Sequence, residues 1–198
     1  VTAKAGAQSR QVIRRALRRE PGARVVVTGC YAQIASQQIV QLAERPICIV
    51  GNGYKHELVD IALSGKPCDL EMYLGEIGRQ QRLAPLAVRR FPGRTRAYLK
   101  VQDGCNRFCT YCIVPYSRGR SRSLPPEQVL AQAAVFAEEG YREVVVTGIH
   151  VGHYGHDLEP RLDFYQLLQR LAGRADGLRY RISSLEPLEI SDQILALI

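Results

Sequence analysis

Three cysteines in one short segment constrain this chain more than any other feature of its sequence. Cys105, Cys109 and Cys112 have the spacing Cys-x3-Cys-x2-Cys and follow a strand-like run at residues 96–101. Three thiolates from one loop can hold three irons of a cubic 4Fe–4S cluster. The fourth iron then keeps an open position at which a small molecule can bind. The spacing therefore predicts a cluster with one reactive iron.

Other uses of three cysteines are weaker explanations of this segment. A zinc site normally has four ligands, often from paired Cys-x2-Cys units, and the sequence contains no second such pair. An electron-transfer ferredoxin supplies a fourth cysteine for each cluster, and no cysteine follows Cys112. A disulfide with a spare thiol suits secreted proteins, but the first six residues lack the apolar region of a signal peptide. A zinc site and an electron carrier stay open as alternatives.

The charge of the chain points to a polyanionic partner. The 198 residues include 27 Lys and Arg against 19 Asp and Glu, which gives a formal net charge of +8, and most of the cations are arginine. This balance favours RNA as the partner. No apolar run is long enough to cross a bilayer, so we expect a cytoplasmic protein without a membrane partner.

Strands and helices alternate along the chain, which predicts an α/β protein. In the first part, strands at 23–28 and 47–50 alternate with helices at 9–19, 34–42 and 55–63, the pattern of a doubly wound domain over residues 1–70. Glycines and prolines then break the pattern, which predicts a linker over 71–93.

The second part of the chain has the pattern of a βα barrel. Predicted strands at 96–101, 143–147 and 178–183 alternate with predicted helices, which lie at 125–138, at 162–171 and from residue 191 onward. Ser123 is a plausible cap for the first of these helices. We therefore predict a partial barrel over residues 94–198.

The carboxyl ends of barrel strands carry the working residues of such a fold. The second predicted strand ends at Thr147-Gly148-Ile149-His150, and the third continues from Arg181 through Ser183-Ser184-Leu185-Glu186. These loops offer small residues, hydroxyl groups and a carboxylate close to the predicted open iron. His150, His153 and His156 with Asp157 could instead bind a metal, but the intervening glycines favour a loop that reaches toward substrate.

The remaining cysteines and the basic segments allow two interpretations each. Cys30 ends a predicted strand, where it can be a ligand or a small buried thiol; Cys48 and Cys68 are interpreted as structural. The arginines that flank the cysteine segment are predicted to contact RNA: Arg89, Arg90, Arg118, Arg120 and Arg122. The basic face of the helix at 9–19 is either simply solvated or in contact with RNA phosphates.

Several motifs together resemble those of the radical S-adenosylmethionine (SAM) methylthiotransferases, in particular the branch that modifies N6-threonylcarbamoyladenosine in tRNA. They are spread over nearly the whole chain. The motifs are Thr28-Gly29-Cys30-Tyr31-Ala32-Gln33, Val101-Gln102-Asp103-Gly104 with the cysteine segment, Ile113-Val114-Pro115 with Arg118-Gly119, Thr147-Gly148-Ile149-His150, and Ser183-Ser184-Leu185-Glu186-Pro187.

The resemblance implies two 4Fe–4S clusters and SAM as cofactors. Cys105, Cys109 and Cys112 would hold the cluster that binds and cleaves SAM, and no further catalytic residue is assigned. Cys30 matches one of three cysteines that hold an auxiliary, sulfur-delivering cluster; the other two would precede Val1. SAM would be surrounded by residues from the cysteine segment and both strand ends: Tyr111, Thr147, Gly148, Ser183, Ser184 and Glu186.

The resemblance also implies the reaction and the partners. A 5′-deoxyadenosyl radical would take hydrogen from C2 of a modified adenosine beside the anticodon of tRNA, and a second SAM would supply the methyl group. The other partners would be an electron donor such as a flavodoxin or a ferredoxin, and a sulfur source. His150 and Arg181 would receive the anionic group of threonylcarbamoyladenosine.

Several alternatives to this function stay open. The rival substrates are isopentenyladenosine in tRNA and an aspartate of a ribosomal protein. A protein of another class would be an Fe–S or zinc RNA-binding module without catalysis. We expect the chain to be a fragment cut at both ends, and therefore inactive by itself.

Overall fold

The structure, a computed structural model, describes residues 2–65, 69–85, 87–174, 177–183 and 185–197. The chain divides into two compact units. Unit 1 comprises Val1–Gln80 and Arg107–Gly119, and unit 2 comprises Gln81–Asn106 and Arg120–Ile198. This division differs from the predicted domains at 1–70 and 94–198, because the predicted linker contributes to both units and residues 107–119 group with the first one.

Unit 1 contains a parallel sheet in the order β1-β2-β3. Its strands are β1 (Val26–Thr28), β2 (Cys48–Val50) and β3 (Glu71–Tyr73), and its helices are α1 (Ala3–Arg19), α2 (Cys30–Ile34), α3 (Ser36–Leu42), α4 (Leu58–Ser64) and α5 (Val114–Arg118). The central strand β2 is buried along its whole length, whereas the edge strand β1 is only partly buried. β3 lies in the segment predicted to be a linker.

Helix α1 combines an apolar stripe with a long polar face. Ile13 and Leu17 are buried and pack in one cluster with Ile39, Ile47 and Ile49. The helix begins six residues before the predicted start at residue 9, because its first turns are rich in alanine, which favours helix without adding to the apolar stripe. The hydroxyl of Thr2 accepts a hydrogen bond from the Ala5 amide at 3.2 Å and caps this end.

Two other predicted helices of unit 1 are divided. The predicted helix at 34–42 appears as α3, and α2 precedes it across Ala35, whose backbone leaves the helical region. The predicted helix at 55–63 begins as a 3-10 helix over Asn52–Glu57 and continues as α4. A further 3-10 helix covers Ile77–Arg79. Apolar periodicity does not distinguish a continuous helix from two short ones.

Unit 2 contains a second parallel sheet, in the order β4-β7-β8, and an antiparallel pair of β5 with β6. The strands are β4 (Ala97–Lys100), β5 (Gln102–Asp103), β6 (Arg122–Ser123), β7 (Glu143–Thr147) and β8 (Arg179–Ile182), and the helices are α6 (Pro126–Glu138), α7 (Phe164–Ala172) and α8 (Asp192–Leu197). Helices connect the parallel strands, so the α/β class is confirmed. The doubly wound domain and the barrel stay predictions.

The core of unit 2 lies between its parallel sheet and its helices. Buried side chains from the strands pack with those from α6 and α7: Leu99, Val144, Val146, Phe136, Leu167 and Leu171. Asp163 and Gln166 form a capping box at the start of α7, which explains why this helix begins two residues after its predicted start. Ser123 does not cap α6 as expected, because it lies in β6 and bonds to Asp157. No helix among the described residues has both the length and the apolarity needed to cross a membrane.

Candidate cluster and cofactor site

One buried glutamine fixes three loop segments of unit 2 around the first cysteine. Gln102 is fully buried, and its Oε1 accepts hydrogen bonds from the backbone amides of Ile149 and His150, both at 2.9 Å. Its Nε2 donates to the carbonyl of Gly104 at 2.7 Å and to Oγ of Ser121 at 2.8 Å. Sequence analysis did not select Gln102 as a site residue. The available signal was an amide side chain directly after an apolar strand.

Gly148 is required by packing against this glutamine. A Cβ at this position would lie 2.8 Å from Oε1 of Gln102 and 2.9 Å from Cγ1 of Val151. Both distances are shorter than ordinary contacts, and the two neighbours are themselves buried. The glycine therefore allows the loop after β7 to approach β5.

Cys105 begins a chain of polar contacts that runs through His150 to Glu189. Cys105 and His150 are buried, with 4.0 Å between Sγ of the cysteine and Nδ1 of the histidine. Nε2 of His150 lies 2.5 Å from Oε1 of Glu189. Burial raises the pKa of Glu189, but a backbone hydrogen bond at Glu186 and the contact with His150 outweigh it, so the net pKa is lowered. An ionised carboxylate only accepts hydrogen bonds, so Nε2 of His150 carries the proton in this pair.

The histidines of this region form a stack rather than separate side chains. The rings of His150 and His153 lie 4.0 Å apart with an interplanar angle of 25°, and His156 continues the stack at 5.3 Å from His153. His150, His153 and Glu189 offer three potential metal-ligand atoms within 4.8 Å of one another. The lone pairs of two stacked rings lie in separate, nearly parallel planes, which disfavours ligation of one ion by both His150 and His153.

A polar cavity of about 250 Å³ lies beside this stack. Its lining residues are Asn106, Ser121, His153, His156, Asp157 and Arg161. The carboxylate of Asp157 accepts hydrogen bonds from the amide of Ser123 at 2.8 Å and from its hydroxyl at 2.6 Å. The carboxylate of Asp157 is thus already engaged, and Asn106, His153, His156 and Arg161 each carry at least one N–H donor.

Cys109 and Cys112 lie in unit 1, in a segment with two sharp bends. The amide of Cys112 donates to the carbonyl of Cys109 at 2.9 Å, which places the two residues at the ends of one turn. Phe108 has a φ of +48°, a left-handed conformation that is rare outside glycine. Cys109 is exposed and Cys112 is partly buried.

The donor set of this segment fits a 4Fe–4S cluster with an open iron. The three cysteines lie within eight residues, and each belongs to a bent loop rather than to a regular strand or helix. None of the cysteines that the structure describes forms a disulfide. Thiolates are the ligands that such clusters require.

Cys30 lies in unit 1 in surroundings that favour its thiolate. Nδ2 of Asn52 lies 3.7 Å from its Sγ and also donates to the carbonyl of Ser117 at 2.6 Å. Burial raises the pKa of Cys30, but a hydrogen bond with Ser117 and the charge of Arg118 together outweigh burial, so the net pKa lies below its usual value. Metal ligation requires the thiolate.

The other two cysteines differ in what the structure describes. Burial raises the pKa of Cys48, Arg24 lowers it by less, and the charge of Glu71 raises it further. This environment supports the interpretation of Cys48 as structural. Cys68 lies outside the described residues.

The predicted SAM residues divide between the two units. In unit 2, Thr147 ends β7, and both the amide and the hydroxyl of Ser183 donate to the carbonyl of Val146 at 3.2 and 3.0 Å. Glu186 is exposed, with Oε1 3.9 Å from Nε2 of His150. Of these residues, Glu186 lies beside His150, and Thr147 and Gly148 precede His150 in the chain at the end of β7. Tyr111 belongs to unit 1, where 90% of its surface is exposed, and Ser184 lies outside the described residues.

The predicted RNA-binding arginines do not form one exposed set. Arg120 and Arg181 are exposed, and Arg118 is partly buried beside Cys30. Arg122 is 5% exposed, and its contact with RNA stays a prediction. Arg89 and Arg90 both pair with the carboxylate of Glu139, the first with 2.7 Å between Nε and Oε1.

Comparisons with known proteins identify the family. The model of the Radical SAM superfamily matches residues 99–197. The chain is 39% identical over 198 residues to the threonylcarbamoyladenosine tRNA methylthiotransferase MtaB of Bacillus subtilis (strain 168), covering 95% of this chain and 42% of the relative. It is 38% identical over 208 residues to the MtaB protein of Aquifex aeolicus (strain VF5), covering 100% and 48%.

A relative with a different printed name is similar to nearly the same extent. The chain is 36% identical over 185 residues to a tRNA-2-methylthio-N(6)-dimethylallyladenosine synthase of Pelotomaculum thermopropionicum, covering 90% of this chain and 40% of the relative. The chain thus spans less than half the length of these relatives. The family match includes Cys105, Cys109 and Cys112 and the loops after β7 and β8. The chain therefore belongs to the Radical SAM superfamily, and over nearly its whole length it is similar to tRNA methylthiotransferases.

Proposed function

We propose that the full-length protein to which this chain belongs converts N6-threonylcarbamoyladenosine beside the anticodon of tRNA to its 2-methylthio derivative. The observation that carries the proposal is the Cys-x3-Cys-x2-Cys segment, whose first cysteine lies beside His150 at the strand ends of unit 2. The similarity to proteins named MtaB supports the choice of substrate.

In this proposal Cys105, Cys109 and Cys112 hold a 4Fe–4S cluster, and residues near His150 hold SAM. When bound, the cluster and SAM supply the one-electron chemistry of the superfamily. Gln102 keeps the loops before Cys105 and after β7 in one arrangement through its side-chain hydrogen bonds. Glu189 orients the imidazole of His150 so that Nδ1 faces the Cys105 sulfur.

The polar cavity beside the histidine stack supports the threonylcarbamoyl group over an isopentenyl group. Asn106, His153, His156 and Arg161 offer donors, and the carboxylate of Asp157 is engaged by Ser123. Threonylcarbamoyl carries a carboxylate and a hydroxyl, which need such donors when they leave water. An isopentenyl group is apolar and would leave these donors without partners.

The proposal extends to the remaining cofactors and partners. Cys30 would supply one ligand of a second, sulfur-delivering 4Fe–4S cluster, with its other ligands from the rest of the full-length protein. An electron donor such as a flavodoxin or a ferredoxin and a sulfur source would complete the system. The tRNA substrate accords with the expected cytoplasmic location.

Isopentenyladenosine is the second candidate substrate, because the Pelotomaculum relative is named for a dimethylallyl-adenosine product. The test offers tRNAs that carry either modification to the reconstituted full-length enzyme with SAM and a reductant. Mass spectrometry of the nucleosides should find a 2-methylthio product on the threonylcarbamoyl tRNA alone. The Cys105→Ala variant, which lacks a cluster ligand, is the control and should give no product. Product on the isopentenyl tRNA alone would contradict the proposed substrate.

A further inference from the structure

The solvent face of helix α1 presents a cluster of arginines. Arg14, Arg15, Arg18 and Arg19 are all exposed, and together with Gln11 they line a surface depression of about 520 Å³. The residues that share one side of the helix are four apart, so Arg14 lies one turn from Arg18 and Arg15 one turn from Arg19. We call these four side chains the α1 arginine face.

Helix stability does not explain this face. Like charges four residues apart destabilise a helix. Helix α1 contains no Asp or Glu, and among the described residues none of the four arginines forms an ion pair. The helix dipole favours Arg18 and Arg19 in the last turn, but Arg14 and Arg15 lie before it.

Other arginines of unit 1 have clear structural partners. Arg24 pairs with Glu71, with 2.6 Å between Nη2 and Oε1. Arg45 donates to the carbonyls of Ala23 at 2.7 Å and Glu20 at 2.8 Å. Arg10, on α1 itself, donates to the hydroxyl of Tyr31 at 3.2 Å. The α1 arginine face differs from these residues because its cations point to solvent.

We propose that the α1 arginine face binds backbone phosphates of the tRNA substrate. This inference rests on the proposed function for the identity of the RNA. Guanidinium groups form bidentate hydrogen bonds with phosphate. Arg14 and Arg18, and likewise Arg15 and Arg19, are separated by about 6 Å along the helix axis. A phosphate backbone is a matching linear array of negative charge.

A membrane surface is a poorer partner for the same helix. Interfacial helices need an apolar face that enters the lipid. The apolar stripe of α1 is not available for this, because Ile13 and Leu17 are buried in the core of unit 1. The helix therefore offers charge to a partner and little apolar surface.

The salt dependence of tRNA binding by the full-length protein tests the inference. Each lost phosphate contact should reduce the slope of log K against log salt by about 0.7–0.9. Arg14→Gln with Arg15→Gln should therefore reduce it by about 1.5. The matched control is Arg79→Gln with Arg170→Gln, which removes the same charge from two exposed arginines that pair with Glu76 and Glu127. The control should keep the parent's slope.

Two further measurements separate this inference from the proposed function. SAM cleavage without tRNA should be unchanged in Arg14→Gln with Arg15→Gln, because both side chains are exposed. The melting temperature should not fall, because the substitutions remove like charges four residues apart. A slope equal to that of the control would overturn the inference, whether or not the enzyme methylthiolates tRNA. A reduced slope, in an enzyme that forms no methylthio product, would keep the RNA-binding face and reject the proposed function.

Discussion

Cys30 and Cys48 both belong to unit 1, yet their thiols have opposite electrostatic environments. Burial raises the pKa of both groups. At Cys30, Ser117, Arg118 and Asn52 outweigh burial and leave the thiol more acidic than usual. At Cys48, burial prevails, and Glu71 adds to it. Neighbours distant in sequence therefore decide which of the two thiols is the more acidic.

We expect Cys30 to be alkylated at lower pH than an ordinary thiol in the iron-free protein. The thiolate is the reactive form, so a lowered pKa shifts the rate profile to lower pH. Arg118→Gln removes a favourable charge, and should raise the pKa and shift the profile to higher pH. Peptide mapping after iodoacetamide treatment measures the rate at each pH. Arg79→Gln in the same unit is the control, and an identical profile in Arg118→Gln would contradict the role of this charge.

Replacement of Gln102 should destabilise unit 2, because its buried side chain bonds to backbone groups of two loops. Gln102→Leu leaves the buried amides of Ile149 and His150 without their acceptor, and each such loss costs about 1–3 kcal/mol. We expect the free energy of unfolding to fall by about 2–5 kcal/mol in urea denaturation.

An exposed glutamine provides the control for this experiment. Gln169 on α7 is exposed, and within the described part of the chain its side chain donates to the hydroxyl of Tyr165 alone. Gln169→Leu should therefore change stability by no more than about 0.5 kcal/mol. If Gln102→Leu were equally mild, the two amides would have found other partners, and Gln102 would not hold the loops together.

At the scale of elements, the segment that precedes β4 is ordered by contacts rather than by secondary structure. The amide of Phe91 donates to the hydroxyl of Tyr141 at 2.7 Å, and its ring lies 6.0 Å from that of Phe136 on α6. Nε2 of Gln132 donates to the carbonyl of Val88 at 2.7 Å. Composition predicted a linker here, but side chains of unit 2 hold the segment along α6.

Glu139 anchors the same segment and gives it a pH dependence. Hydrogen bonds from Arg90 and Arg89 lower the pKa of Glu139 below its usual value of 4.5. A lowered pKa means that the carboxylate stabilises the fold above the unfolded pKa and that this contribution is lost as pH falls through the folded pKa. We therefore expect the melting temperature of Glu139→Gln to fall less steeply below about pH 4.5 than that of the parent.

The neighbouring acid is a matched control for Glu139. Glu138 is exposed, and no ion pair of its side chain occurs among the described residues. Glu138→Gln should keep the parent's acid profile. If both variants had the same profile, the two arginines would not be coupled to Glu139 in solution.

At the scale of the whole molecule, the net charge of +8 is the sum of arginines with different roles. Some pair with carboxylates or bond to carbonyls, as Arg24, Arg89 and Arg45 do. Arg122 is buried. The α1 arginine face presents its charge to solvent. Composition indicates a polyanionic partner, but burial and pairing decide which cations can meet it.

The boundary between the two units falls within the cysteine segment. Each unit has its own parallel sheet and its own apolar core. The chain passes from one unit to the other after Gln80, Asn106 and Gly119. Cys105 therefore belongs to unit 2, and Cys109 and Cys112 belong to unit 1. Length and breaker residues predicted two domains that follow one another along the chain. They carry no information about a later segment, such as 107–119, that packs with an earlier unit.

The sequence by itself determined the cysteine segment, the alternation of strands and helices, and the family resemblance, because spacing and periodicity are local properties of the chain. Only the tertiary structure decided that Gln102 joins three loops, that Glu189 orients His150, that Asn52 meets Cys30 and that Arg122 is buried. Each of these contacts joins residues far apart in sequence or depends on which side chains cover a site. Such contacts follow from packing, which no local pattern specifies.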